Sequence, residues 1–68
     1  MWTMHEYLNA DNPSDDRDLG YADFEEEEVM AMVKDAEQRG LEVYRPEYAY
    51  IIICEDNGTF RHCWKFTR

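Results

Sequence analysis

Four side chains in this sequence are of the types that bind soft metal ions: His5, His62, Cys54 and Cys63. Zinc sites usually contain pairs of ligands separated by a few residues, such as Cys-x-x-Cys. Here His62 and Cys63 are adjacent, so in a strand they would point to opposite faces. The spacing therefore predicts no metal site and no cofactor. It indicates instead two small apolar strand residues and a core or half-buried histidine.

Carboxylates in the first half of the chain raise the question of a calcium site. Asp16, Asp18 and Glu27 match the first, third and last positions of an EF-hand loop. The sixth position, where that loop requires glycine for its sharp turn, is Tyr21, and Gly20 comes one place early. The pattern therefore argues against a specific calcium site.

Catalytic signatures are not found in the sequence. There is no glycine-rich phosphate loop and no Ser/His/Asp pattern of a hydrolase. Paired carboxylates need desolvation to separate their pKa values, and these lie in a segment where we expect abundant water. A chain of 68 residues also has little material to wall a deep pocket. We therefore predict that the protein is not an enzyme.

Acidic residues are concentrated in one part of the chain. The formal net charge is -9, from 16 acidic and 7 basic residues. Residues 1–28 hold ten acids and a single base, Arg17, whereas residues 29–68 hold six of each. This charge disfavours direct binding to nucleic acid or to an anionic membrane. The dense part of the run consists of Asp11, Asp15, Asp16, Asp18, Asp23, Glu25, Glu26, Glu27 and Glu28.

The elements that position this run begin with a short strand and end with a helix. Alternating apolar residues predict a strand over residues 2–8, with a helical turn as the alternative, followed by an acidic loop at about 9–22. The sequence does not give the position of this first strand in the sheet. Asp23 with Glu26 three residues later is typical of a helix start, and Gly40 of a helix end, which predicts a helix over residues 24–39. Its apolar stripe is Val29, Met32, Val33 and Ala36.

Three further strands are predicted over residues 41–44, 48–55 and 59–66. Asn57-Gly58 is a strong hairpin signal, and a two-residue turn there would pair Cys54 with Arg61 and Ile52 with Cys63. The two cysteines would then be diagonal, near the outer limit for a disulfide. A three-residue loop with a bulge at Gly58 is the alternative, and it would shift the register by one and exchange the faces of one strand. The expected fold is a single α+β domain over residues 1–68. Its order is β-α-β-β-β, with one helix on an antiparallel sheet of three to four strands.

The hairpin register also predicts which side chains form the core. Ile51, Ile53, Trp64 and Phe66 share one sheet face and should pack on the helix stripe. The other face should be open to water or to a partner.

The acidic run predicts a recognition surface for a partner with a basic groove. Its carboxylates would imitate the negative charge of nucleic acid, and the rest of the chain is neutral, so the charge is polarised. In size, layout and acidity the chain resembles small phage-encoded inhibitors, among them anti-CRISPR, anti-restriction and host-takeover proteins, several of which mimic DNA. No motif identifies one of these families. With two cysteines, too few for a secreted scaffold, we expect a cytoplasmic protein with reduced thiols.

An alternative interpretation assigns recognition to the open sheet face. Tyrosine and arginine are enriched among the residues that dominate binding energy. The acid would then only keep the protein soluble, and a homodimer through an edge strand is a special case of this alternative. The residues in question are Tyr44, Tyr48, Tyr50 and Arg61.

Overall fold

The structure is a computed structural model that describes residues 1–68. It confirms the α+β class but contains five strands, not three to four, because most of the expected acidic loop is a strand. Residues 9–10 end the first strand and residues 17–22 belong to the second. The elements are β1 (Trp2–Ala10), a short 3-10 turn (Pro13–Asp15), β2 (Arg17–Phe24), α1 (Glu26–Gln38), β3 (Glu42–Glu47), β4 (Tyr50–Asp56) and β5 (Phe60–Thr67).

The five strands form one antiparallel sheet in the order β2-β1-β5-β4-β3. The strand β5 is therefore central, β1 and β4 lie on either side of it, and β2 and β3 are the two edges. The helix α1 follows β2 and crosses one face of the sheet to reach β3 at the opposite edge. That helix is neither long nor apolar enough to cross a membrane.

The core lies between α1 and the sheet, as the hairpin and helix patterns predict. Ile51, Ile53 and Phe66 are buried against the helix stripe, and Trp64 is packed at its margin. The buried tryptophan is Trp2 of β1, whose side chain is 2% exposed, because the alternation of β1 directs it under the helix. The remaining buried members of this cluster are Met4, Val29, Val33 and Ala36.

The helix begins later than its cap pattern suggested. Asp23 is the penultimate residue of β2, where its carboxylate accepts a hydrogen bond from the Thr3 hydroxyl (3.2 Å). The N-cap is Glu25, and its N–H donates to the Glu28 carboxylate (3.0 Å). The same acidic sequence therefore supplies a capping interaction two residues further along than expected.

The β4–β5 hairpin differs from the predicted register by two residues. Asp56 pairs with Arg61, and the Asn57 N–H donates to the Phe60 carbonyl (2.9 Å), so Gly58 and Thr59 form the turn. Within this turn only Gly58 has a positive φ (+87°). A type II′ turn requires one such residue, a glycine in the first turn position, whereas a type I′ turn requires two. A shift of two preserves which side chains share a face.

Candidate functional site

The acidic run forms one continuous border of the molecule. Asp11, Asp15 and Asp16 lie at the tip of the β1–β2 hairpin, Asp18 and Asp23 lie on β2, and residues 25–28 start α1. The edge strand β2, which carries Asp18 and Asp23, is by itself about 25 Å long. All nine carboxylate residues are exposed. We call these nine residues the acidic edge.

A β-bulge aligns two carboxylates of the acidic edge. Asp18 and Asp23 are an odd number of residues apart and would face opposite ways in a regular strand. The pairing with β1 is interrupted between His5 and Tyr7, which inserts an extra residue into β2. Gly20 supplies the required backbone with a φ of +99°, and its N–H donates to the Asp18 carboxylate (2.9 Å). As a result Asp18 and Asp23 both lie on the sheet face opposite α1.

Two carboxylates of the acidic edge have a basic partner. Asp18 Oδ1 lies 3.1 Å from His5 Nε2. The Gly20 N–H, and then His5, lower the pKa of Asp18 below its usual range. Glu26 accepts a hydrogen bond from the Trp2 indole (2.5 Å) and pairs with Arg68. The indole, and then the guanidinium, lower the pKa of Glu26.

The other seven carboxylates have no basic partner. Some accept neutral hydrogen bonds, such as the one from the Ala10 N–H to Asp16 (2.7 Å). Those of Asp11, Asp15 and Glu27 accept no hydrogen bond from the protein, so they are available to an incoming cation. The seven residues are Asp11, Asp15, Asp16, Asp23, Glu25, Glu27 and Glu28.

The side chains considered as metal ligands do not assemble into a group of three or more, although Cys54 and Cys63 are adjacent. No group of three or more His, Cys, Asp or Glu side chains surrounds a common point. Asp16, Asp18 and Glu27 stand at the tip, the middle and the helix end of the acidic edge. His62 contacts Glu6 (2.6 Å) on the helix side of the sheet, whereas Cys63 lies on the opposite face, as their adjacency predicts.

The sheet face opposite α1, which we call the open face, has no second layer over it. Tyr44 and Tyr50 lie there with Arg61, and the Lys65 ammonium stands 5.9 Å from the Tyr50 ring centre. Tyr44 is 59% exposed. Tyr48 is separate from this group, because it lies in the β3–β4 turn.

Tyr48 belongs instead to a cluster beside the start of α1. The Arg68 guanidinium lies 5.2 Å from its ring centre and 4.6 Å from that of Trp2. The open face carries other aromatic residues in its place, Tyr7 and Tyr21, with Tyr21 stacked on His5 at 4.3 Å. Tyr21 was not predicted there because β2 was not expected to be a strand, and Tyr7 because the position of the first strand in the sheet was not predicted.

Concave sites are shallow in this molecule. The largest groove, about 420 Å³, is open to solvent and lies beside Trp2, Glu26 and Tyr48. No charged or polar residue is buried. The carboxylates therefore keep their water, which disfavours the pKa separation that acid–base catalysis requires.

Comparison with known proteins gave no match: no family model, no curated protein and no solved structure is significantly similar to this chain.

Proposed function

We propose that the protein is a small non-enzymatic binding protein that blocks a basic surface of a nucleic-acid-handling partner by charge mimicry. The observation that carries the proposal is the acidic edge, in which seven of nine exposed carboxylates have no basic partner within the chain. Unpaired carboxylates repel one another, which destabilises a folded protein unless an external cation neutralises them. A partner with a lysine- and arginine-lined groove would supply that neutralisation.

The density of charge along the acidic edge supports this class of partner. Nine carboxylates along a border of about 25–34 Å, between the length of β2 and the longest dimension of the molecule, correspond to roughly one charge per 3–4 Å. One strand of duplex DNA carries a phosphate about every 3.4 Å along the helix axis. A groove built to neutralise a nucleic-acid strand would therefore meet a similar charge density here.

The resemblance to small phage-encoded inhibitors points the same way. Proteins of that class bind host or defence factors that act on nucleic acid, and several do so as DNA mimics. We extend this to the present chain as part of the proposal, with the acidic edge as the contact surface and the cytoplasm as the compartment.

The test begins with the tagged chain as bait in a lysate of its natural host, washed at low and at high salt. The captured protein is then purified, and its binding to the chain is measured by surface plasmon resonance with and without duplex DNA. We expect DNA to compete, and association to slow steeply as salt is added, because charge attraction accelerates encounter.

The decisive variant neutralises three carboxylates that make no hydrogen bond: Asp11→Asn, Asp15→Asn and Glu27→Gln. At low salt we expect its association rate to fall about tenfold. A matched control removes three charges elsewhere, with Asp35→Asn, Glu37→Gln and Glu47→Gln, and should associate nearly as fast as the parent. Equal losses in the two triple variants, or no competition by DNA, would contradict the mimicry proposal.

A second candidate function is binding through the open face, favoured by the exposure of Tyr44 on a sheet with no covering layer. Tyrosine burial responds little to salt, which separates the two candidates. If Tyr44→Ala with Tyr50→Ala abolishes binding and the acidic-edge triple does not, the open face is the site. Tyr48 then serves as a control, because it lies in the β3–β4 turn.

A further inference from the structure

Two thiols meet at the centre of the open face. Cys54 of β4 is directly opposite Cys63 of β5, and their Sγ atoms are 2.6 Å apart. The predicted turn at Asn57-Gly58 would have placed them diagonally. The observed turn at Gly58-Thr59 shifts the register by two and brings them face to face.

Backbone hydrogen bonds identify what kind of pair this is. The Asn57 N–H donates to Phe60, and the Arg68 N–H donates to Ala49, which marks both as hydrogen-bonded pairs. Such pairs alternate along an antiparallel ladder with pairs that are not hydrogen-bonded. When the alternation is followed along the ladder from Asn57–Phe60 or from Ala49–Arg68, Cys54–Cys63 is a pair without backbone hydrogen bonds. Such pairs have Cα atoms about 4.5 Å apart, inside the range that disulfides span.

We propose that Cys54 and Cys63 are a redox-modification site, at which a small-molecule disulfide oxidises the folded chain to an intrachain, cross-strand disulfide. One cysteine thiolate attacks the oxidant, forming a mixed disulfide and releasing one small thiol. The second cysteine then attacks the bound protein sulfur and releases the other small thiol. Two protein S–H bonds and one S–S bond are exchanged for one protein S–S bond and two S–H bonds, so two electrons and two protons pass to the oxidant.

The burial of the two cysteines determines the rate of thiol–disulfide exchange. Cys54 and Cys63 are 9% and 2% exposed, and Tyr7 of β1 pairs with Cys63 on the same face. Burial, and then the neighbouring thiols, raise the pKa of Tyr7 to about 12. Burial, and then contact with Cys63, also raise the pKa of Cys54, which lowers the fraction of reactive thiolate. Exchange is therefore slow, and the same shielding protects the disulfide from reduction once it has formed.

Oxidation does not require the strands to move, since the pair is already within bonding range. The disulfide would link β4 to β5 across the hairpin and restrict the unfolded chain more than the folded one. The folded chain should therefore favour the disulfide, whatever the acidic edge binds.

The test is an equilibrium titration in glutathione buffers of graded oxidised-to-reduced ratio, approached from fully reduced and from fully oxidised protein. Free thiols are alkylated and counted by mass spectrometry, with and without denaturant. We expect a monomer lacking two hydrogens and carrying no glutathione. We also expect half-oxidation of the folded chain at a ratio at least about tenfold more reducing than that of the unfolded chain.

Two outcomes would overturn the proposal. One is half-oxidation of the folded chain at the same ratio as the unfolded chain, or at a more oxidising ratio. The other is a persistent glutathione adduct or a disulfide-linked dimer as the main oxidised species. Starting from both directions removes slow exchange as an explanation. The Cys54→Ser and Cys63→Ser single variants show the mass and mobility of those two alternative species.

Discussion

Carboxylates have different surroundings in the two halves of this molecule. On the acidic edge, two of nine have a basic partner, Arg68 or His5. In residues 29–68, four of six acids do: Asp35, Glu37, Glu42 and Glu55 are paired with Arg39, Arg45 or Arg61. We call residues 29–68 the balanced half.

The comparison shows that surface carboxylates in the balanced half are mostly paired with arginine, whereas those of the acidic edge are mostly unpaired. In the balanced half most carboxylates are neutralised by an arginine of the same half, and only Glu47 and Asp56 lack a basic partner. Helix capping also explains little of the acidic edge, since only Glu28 accepts the Glu25 N–H there. The excess negative charge therefore sits where β2 and the start of α1 expose it.

The largest expected effect is a loss of stability when the tryptophan beside the acidic edge, Trp2, is truncated, compared with Trp64 of the balanced half. Trp2 is buried beside the acidic edge and donates to Glu26, whereas Trp64 is only partly buried. Trp2→Ala should lower the free energy of unfolding by about 3–5 kcal/mol, close to the whole stability of a small domain. Trp64→Ala should cost clearly less. Urea denaturation followed by circular dichroism measures both, and equal costs would contradict the packing described for β1.

A smaller effect, opposite in sign between the halves, is expected from removing charge. Asp11→Asn with Asp15→Asn should leave stability unchanged or raise it by up to about 0.5 kcal/mol, because like-charge repulsion falls. Glu42→Gln should lower stability slightly, because Arg61, 2.5 Å away, loses its partner. Urea midpoints in low salt measure the difference, which added salt should reduce. Destabilisation by both changes would remove the contrast between the halves.

The smallest effect concerns acid pH and distinguishes the paired from the unpaired carboxylates of the acidic edge. The folded-state pKa values of Asp18 and Glu26 are lowered, so their stabilisation is present above the unfolded value near 4. It is lost as pH falls through the folded values. Glu26→Gln should therefore flatten the fall of melting temperature below about pH 4. Asp15→Asn should not, and the same flattening in that variant would contradict the assignment.

The helix and its core were predictable from the sequence, because period and burial agree there. Val29, Val33 and Ala36 recur at helical spacing, and Ile51, Ile53 and Phe66 alternate at strand spacing. The strand β2 was not predictable, because aspartates and a glycine give residues 17–24 neither alternation nor strand propensity. It forms by pairing with β1, with a bulge at Gly20.

The position of the candidate site along the chain was predictable, but its shape was not. Charge counting locates the acidic run, whereas only the edge position of β2 arranges it as a line. The cysteine pair was missed for a different reason. Asn-Gly favours a type I′ turn in general, and here Asn57 keeps a negative φ and leaves Gly58 to start the turn.

The position of β1 between β2 and β5 has a consequence for how the chain reaches its native state. The ladder between β1 and β5 joins residues from opposite ends of the sequence, such as Thr3 and Thr67. Closing so long a loop costs chain entropy before any native contact offsets it, and folds rich in such contacts form slowly for their size. During synthesis, the β1–β2 hairpin emerges first and waits with one edge of β1 unpaired. The sheet becomes continuous only when β5 pairs with both β1 and β4.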